Sequence, residues 1–359
     1  MARKKINPNI RYVNSFADEV RYILRQRSPL RYLFHRFRWN YYPRLYKVSG
    51  FPDHVDIETC SHCQLHCPMC FQTVRDDIKN GMMEFSLFQR IMDEVSSRKP
   101  YSIRLSWRGE CLLHPEFNKM LGYARSVYSG NISFLTNGLK LDAELFDLLI
   151  RNKIDYIVIS ADGVEKTYNE VRRPGKFQEL VAKLALLQEM KRKRSSRYPM
   201  VRINTVSLWF KDDECSEFNR TFLPFADKLL IGSTLNTFSS LKVEHDSDSF
   251  CASPWQRLLI AWNGEVYPCC SDYVGLYPMG NITTQTLADI WHGPKAEHIR
   301  KLIRDRRRLE LQLCREIDCG VDEIPNDSSE AFVSLVRRQV EKDVGPATSL
   351  LKYLGKRSN

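Results

Sequence analysis

Asp56-Ile57-Glu58-Thr59-Cys60-Ser61-His62-Cys63-Gln64-Leu65-His66-Cys67-Pro68-Met69-Cys70 decides how this chain is read. A strand-like segment, His54–Thr59, runs into Cys63, Cys67 and Cys70, a C-x3-C-x2-C pattern. Three thiolates this close can hold three irons of a cubane 4Fe-4S cluster and leave the fourth iron open. Soft thiolates also suit zinc and Cu(I), so context must choose the metal. Cys60 with Cys63 makes a further C-x2-C. A closed four-cysteine site, zinc or ferredoxin-like, is therefore the alternative. Cys60 ends the strand and need not point at a metal. His62 and His66 read as loop residues rather than ligands.

Outward from this loop, strands and helices alternate. Helical spacing marks Phe85–Ser97, with Phe88, Ile91, Met92 and Val95 on one side, then Pro115–Tyr128, Asp142–Arg151 and Lys176–Lys193. Strand patterns mark Ser102–Ser106, Ile132–Leu135, Ile154–Ser160, Met200–Val206 and Asp227–Ile231. Thr136-Asn137-Gly138 reads as a turn. Six β-then-α units imply a parallel sheet with helices outside and ligands at the carboxyl ends of its strands. The cysteine loop lies at one such end.

These residues resemble the radical S-adenosylmethionine (SAM) superfamily, whose further motifs follow in order at strand ends. Trp107-Arg108-Gly109-Glu110 is similar to the glycine–glutamate motif, where the backbone at Gly109 and Glu110 takes the SAM amino group. Ser160-Ala161-Asp162-Gly163 is similar to the segment near the SAM ribose, which implicates Ser160 and Asp162. Val171–Phe177 resembles the arginine segment, with Arg172 for the SAM carboxylate, since a guanidinium matches a carboxylate fork. Asn204 is a further SAM contact, and Met69 stands where an aromatic often packs on adenine. The first glycine of the usual Gly-Gly-Glu-Pro is Arg108 here, and the proline is Cys111.

A second cysteine group lies downstream. Cys251 is followed after twelve residues by Gly264 and after four more by Cys269. Leu258–Trp262, Asn263-Gly264 and Glu265–Tyr267 between them read as a hairpin. Cys314 and Cys319 follow, with a Gly280-Asn281-Ile282 turn and a Leu287–Trp291 helix before them. The block resembles the auxiliary-cluster domain called SPASM, in its single-cluster form called twitch. Cys251, Cys269, Cys314 and Cys319 are then ligands of an auxiliary 4Fe-4S cluster. A zinc knuckle is the alternative. Cys270 is set aside because adjacent strand residues face opposite ways.

The expected fold is α/β: a partial (β/α)6 TIM-like barrel with a C-terminal SPASM/twitch domain. The expected bounds are 1–50 for a basic aromatic arm, 51–240 for the barrel, 241–325 for the auxiliary domain and 326–359 for a helix and tail. The resemblance implies that a reduced cluster cleaves bound SAM to methionine and a 5′-deoxyadenosyl radical, which takes a hydrogen from a substrate C–H bond. It also implies an electron donor such as flavodoxin or ferredoxin. Relatives oxidise, epimerise or dehydrate sugars and cyclitols, or modify ribosomal peptides. A carbohydrate-like substrate is expected, a peptide is the alternative, and a non-enzymatic iron–sulfur sensor is the reading from another class. Cys111, Cys215 and Cys270 are candidate hydrogen donors for an epimerisation, although each also reads as a packed or loop thiol.

The 359 residues carry a formal net charge of +11, most of it at one end. Residues 1–50 hold twelve Lys/Arg against Asp18 and Glu19. Aromatics interleave with these charges in Arg31–Tyr42. The expectation is a helical arm that packs its aromatics on the main domain with arginines in solvent. The other readings are a contact with an anionic membrane or with the anionic part of a substrate. No nucleic-acid recognition motif is present. Met1–Pro8 leads into no apolar segment and no apolar run approaches a membrane span, so a reducing cytoplasm is expected for the eleven cysteines.

Overall fold

The computed structural model describes residues 11–12, 16–206, 209–210, 214–232 and 250–316. Its strands are β1 (Arg11–Tyr12), β2 (His54–Ile57), β3 (Ser102–Arg104), β4 (Asn131–Thr136), β5 (Tyr156–Ser160), β6 (Met200–Val206), β7 (Lys228–Gly232), β8 (Arg257–Ile260), β9 (Glu265–Tyr267) and β10 (Gly280–Asn281). They form one sheet in the order β1-β7-β6-β5-β4-β3-β2-β8-β9-β10. From β2 to β7 every neighbouring pair is parallel. This is the parallel partial barrel expected from the alternation of strands and helices.

Helices α1 (Phe16–Leu24) and α2 (Pro29–Arg44) precede the barrel, and α3 (Phe71–Val74) closes the cysteine loop. The crossovers carry α4 (Phe85–Arg98), α5 (Phe117–Val127), α6 (Ala143–Arg151), α7 (Glu165–Val171), α8 (Phe177–Lys193) and α9 (Glu214–Phe222). Beyond them lie α10 (Ser253–Gln256), α11 (Leu287–Trp291), α12 (Pro294–Arg304) and α13 (Gln312–Glu316). Helix α4 buries Phe88, Ile91, Met92 and Val95, the stripe its spacing predicts. Helix α6 starts one residue late because Asp142 is its cap, accepting the Leu145 N–H at 2.8 Å. Along β5 and β6, Ile157, Ile159, Val201 and Ile203 join the core under the helices. The alternate positions Val158, Ser160, Arg202 and Asn204 are half-buried and line the barrel's inner side.

Among the described residues the auxiliary unit builds no sheet of its own. Strand β8 pairs parallel with β2, in register from His54↔Arg257 to Ile57↔Ile260, and β9 turns back against β8. The hairpin is thus the continuation of the barrel sheet past its first strand. The helix expected over Ser329–Lys342 lies outside the described residues.

The N-terminal arm crosses the start of the strands. Arg25 pairs with Asp227 before β7, and Arg27 bonds Asp155 before β5 at 2.8 Å. Arg38 bonds Asp53 before β2 at 2.9 Å, and Gln256 before β8 donates to the Trp39 carbonyl at 2.9 Å. The described part of the arm therefore lies at the end of the barrel opposite the cysteine loop. The expectation that it packs its aromatics inward holds for only one face of α2. Tyr32, Trp39 and Tyr42 are half-buried and His35 and Pro43 buried, whereas Phe34, Phe37 and Tyr41 are exposed. Several arginines are ion-paired rather than in solvent.

Candidate active site

The cysteine loop is folded by its own backbone and by its neighbours. The Cys70 N–H donates to the Cys67 carbonyl at 3.0 Å, making a tight turn that enters α3. Ser61 donates its hydroxyl to the Gly81 carbonyl at 3.1 Å and accepts the Gly81 N–H at 2.7 Å. The His66 N–H donates to the Arg173 carbonyl at 3.0 Å, so the loop's midpoint rests on the arginine segment. Cys63, Cys67 and Cys70 lie within electrostatic reach of one another: the charge of Cys70 acts on Cys63 and Cys67, and that of Cys63 on Cys67. Burial raises all three thiols, Cys67 to about 11. Such thiols ionise when a cation takes them, the usual state of a metal ligand.

Among the described residues no three His, Cys, Asp or Glu side chains converge on a single ion. A cubane gives each thiolate its own iron, so its ligands need no common point. The donor set fits that cluster. Cys60 is fully buried and feels the charge of Cys63, but its thiol donates to the His62 carbonyl at 3.8 Å and burial raises it to about 11. His62 and His66 are exposed.

Gly109 and Glu110 brace the loop from behind. A Cβ on Gly109 would lie 2.3 Å from the Ser61 carbonyl carbon and 2.6 Å from the His62 oxygen, so only glycine admits this backbone approach. The Glu110 N–H donates to His62 O at 2.8 Å. The Glu110 carboxylate is buried and tied between strand ends. It accepts Thr136 Oγ1 at 2.8 Å, Asn137 N at 2.6 Å and Leu112 N at 3.2 Å. Burial raises its pKa against those bonds.

At the ends of β5 and β6, Asp162 holds Arg172 through Nε at 2.8 Å and a terminal nitrogen at 2.6 Å, and accepts Val206 N at 2.9 Å. Burial opposes the Arg172 charge, but the Asp162 and Cys67 side chains outweigh it and raise its pKa. Arg172 thus stands as a fixed cation beside Cys67. Ser160 and Met69 are half-buried at the same end of the barrel. Asn204 lies on the inner side, its amide oxygen taken by Arg202 Nε at 2.7 Å.

Of the candidate hydrogen donors, Cys111 is fully buried with its thiol on the Leu135 carbonyl, and Cys215 packs on the core from α9. Cys270 is exposed.

The second cysteine group also converges. Burial pushes the Cys269 thiol well above the usual range, and the charges of Cys270, Cys251 and Cys314 all act on it. Cys319 lies outside the described residues. Asp272 folds the intervening loop by accepting the N–H groups of Gly275, Leu276 and Tyr277 at 3.1, 2.6 and 2.9 Å. Cys270 follows β9 in a turn, so strand alternation does not explain its orientation; exposure distinguishes it from Cys269.

Several participants escaped the sequence reading. Asn137 directs its amide at Cys63 Sγ, 3.8 Å away, and at Gln64 Oε1, 3.2 Å away. The turn signal at Asn137 was legible, but its second use was not. Arg108 forks onto Glu58 at 2.8 and 2.6 Å, stacks on Trp107 and donates to the Tyr273 carbonyl at 3.1 Å. Trp107 donates to the Cys270 carbonyl at 2.9 Å, and Phe71, next to Cys70, stacks on Tyr273 with ring centres 4.5 Å apart. The departure at Arg108 thus joins the two cysteine loops.

Comparison with known proteins agrees with this arrangement. The family described as the radical SAM superfamily matches residues 57–207, and the iron–sulfur cluster-binding domain SPASM matches residues 251–320. The S-adenosyl-L-methionine-dependent 2-deoxy-scyllo-inosamine dehydrogenase of Niallia circulans is 23% identical over 270 residues, 73% of this chain and 90% of that protein. The sporulation killing factor maturation protein SkfB of Bacillus subtilis (strain 168) is 21% identical over 279 residues, 67% of this chain and 65% of that protein. The crystal structure of BtrN in complex with AdoMet and 2-DOIA superposes with a TM-score of 0.53 at 19% identity, covering 78% of this chain and 95% of that one. That likeness concerns the fold.

Proposed function

The chain belongs to the radical SAM superfamily and carries a SPASM domain, and from this premise we propose that it oxidises a cyclitol- or sugar-like small molecule at a C–H bond. Its cofactors are a 4Fe-4S cluster with SAM and an auxiliary iron–sulfur cluster in the SPASM domain. Bound together, they supply a hydrogen-abstracting radical and a one-electron acceptor.

In this reading Cys63, Cys67 and Cys70 hold the first cluster and leave one iron for SAM. Arg172, fixed by Asp162, offers a cation to the SAM carboxylate. The Gly109–Glu110 backbone sets the depth of the cysteine loop, and Ser160, Asp162, Asn204 and Met69 border the bound SAM. Asn137 steadies Cys63 through its amide. Cys251, Cys269, Cys314 and Cys319 hold a single auxiliary cluster. Burial of Cys111 within the core argues against a donor role for that thiol, whereas Cys270 is exposed, so the preference for oxidation rests on the match to the dehydrogenase. A soluble ferredoxin or flavodoxin supplies the first electron.

The observation that carries the reading is the sequence match to the dehydrogenase, which covers 73% of this chain and 90% of that protein. The test is anaerobic reconstitution with iron and sulfide, then assay with reductant, SAM and a panel of aminocyclitols. The expected result is 5′-deoxyadenosine formed together with a product two hydrogens lighter, and neither from Cys63→Ala. A second reading, peptide modification, is favoured by the match to SkfB. Turnover of a precursor peptide with no turnover of any cyclitol would establish it instead.

A further inference from the structure

Helix α2 is apolar on two opposite faces. One face, with Tyr32, His35, Trp39 and Pro43, packs on the barrel end. The other carries Leu30, Phe34, Phe37 and Tyr41 at helical spacing, continued by Leu45 past its end. These side chains are 80%, 59%, 50%, 40% and 67% exposed. Arginines lie between the two apolar faces, and among the described residues only the first of these faces is covered.

Beside the exposed stripe lies a cleft of about 480 Å³ bordered by Phe34, Arg31, Arg38, Arg98, Lys99 and Tyr101. Its one carboxylate, Asp53, is taken by Arg38 at 2.9 Å and faces His35 at 3.7 Å. Among the described residues no carboxylate forms an ion pair with Arg31, Arg98 or Lys99, although the charge of Arg98 reaches Asp289, and all three are exposed. Arg44, in the last turn of the helix, lies over Tyr41, and Lys47, beyond its end, lies over Tyr42. The surface thus combines an aromatic and leucine ridge with cations at its flank, the pattern of a helix lying in a membrane interface.

We propose that α2 seats this protein on an anionic lipid bilayer, with Leu30, Phe34, Phe37 and Leu45 among the acyl chains and a lipid phosphate in the cleft between Arg31, Arg98 and Lys99. Charge decides the partner: a neutral apolar partner leaves three cations unmatched, whereas phosphatidylglycerol-type headgroups match them. The seat lies at the start of the strands, so the cluster end of the barrel points away from the lipid and stays open to small molecules and electron donors. No helix among the described residues is long and apolar enough to cross a membrane, so the contact is peripheral.

The test is co-sedimentation of the reconstituted full chain with vesicles of phosphatidylcholine alone or mixed with phosphatidylglycerol. Binding is expected only to the anionic vesicles, and raised salt weakens it. The triple variant Arg31→Gln, Arg98→Gln, Lys99→Gln loses about fivefold per cation, about a hundredfold in all. The pair Phe34→Ser, Phe37→Ser also loses binding, while SAM cleavage and thermal unfolding stay unchanged because both sites are exposed. Equal binding to neutral and anionic vesicles, no binding to either, or wild-type binding by both variants overturns the proposal. A dimer in solution that Phe34→Ser, Phe37→Ser dissolves, without vesicle binding, assigns the face to a second copy and also overturns it.

Discussion

Arg172 shows how one side chain can be both structure and site. Its guanidinium is locked on Asp162 and lies beside Cys67. Arg172→Lys keeps the charge but loses the fork, a difference of about 1.5–3 kcal/mol for one charge-assisted hydrogen bond. The expected result is SAM binding weakened at least about tenfold, with the iron content unchanged. Equilibrium dialysis with labelled SAM and an iron assay measure both. His35 makes a different prediction. Burial between the arm and the barrel lowers its pKa from 6.5 to about 4, although Asp53 pulls the other way. Between those values the unfolded chain binds a proton that the folded one refuses. Stability therefore falls as pH drops from about 6.5 to about 4, by at most about 1.4 kcal/mol per unit. His35→Phe, which keeps the stacking on Tyr101, flattens that slope. Urea unfolding at pH 7 and pH 5 compares the two proteins, and parallel slopes would remove His35 as the cause.

Among the connecting elements, the loop after β3 does the most to unite the two cysteine groups. Arg108 is buried, forks onto Glu58 at the end of β2 and reaches the Tyr273 carbonyl. Arg108→Gly takes the guanidinium from the buried Glu58 carboxylate, which keeps only the N–H groups of position 108 and Trp262, at a cost of about 3–5 kcal/mol. The double variant Arg108→Met, Glu58→Leu removes both charges and recovers most of that loss. Thermal unfolding distinguishes the two, and equal destabilisation by both would refute the pairing argument. This loop also marks where sequence stopped being informative. The glycine at position 109 was legible as a motif, yet its cause, contact with Ser61 and His62, exists only after two loops meet. Arg108 looked like a blemish in the motif, because Glu58 and Tyr273 are far from it along the chain. By contrast, β6 and α11 match their expected ranges to the residue, since their signals are local. Asn137 was read as a turn former, and nothing near it in sequence shows that its amide faces Cys63.

For the molecule as a whole, the two clusters give separable predictions. Cys251→Ala or Cys269→Ala is expected to lose about four irons while the protein still cleaves SAM with reductant and fails to oxidise substrate. Cys60→Ala keeps both clusters, since its thiol is buried on the His62 carbonyl. Iron counting and the 5′-deoxyadenosine assay read all three variants, and cluster loss from Cys60→Ala would return that residue to the ligand set. The barrel was legible from its strands and four of its helices, whose periodicity is local, whereas α7 and α9 went unread. The arm was legible in charge but not in place: its cations seek Asp53, Asp155 and Asp227, each just ahead of a strand. Those aspartates carry no sequence signal that they will gather at one end.

The pairing of β8 with β2 has a consequence for how such a molecule could change over time. Four residue pairs, His54↔Arg257 to Ile57↔Ile260, stitch the auxiliary unit to the strand that launches the first cysteine loop. The distance between the two redox loops is therefore a lattice constant of the sheet, not the reach of a tether. An insertion in the intervening chain lengthens the tether and leaves that distance alone. A shift of β8 by one residue turns every one of its side chains to the wrong face. The unit can be exchanged for a foreign one only if the newcomer brings an edge strand of the same phase.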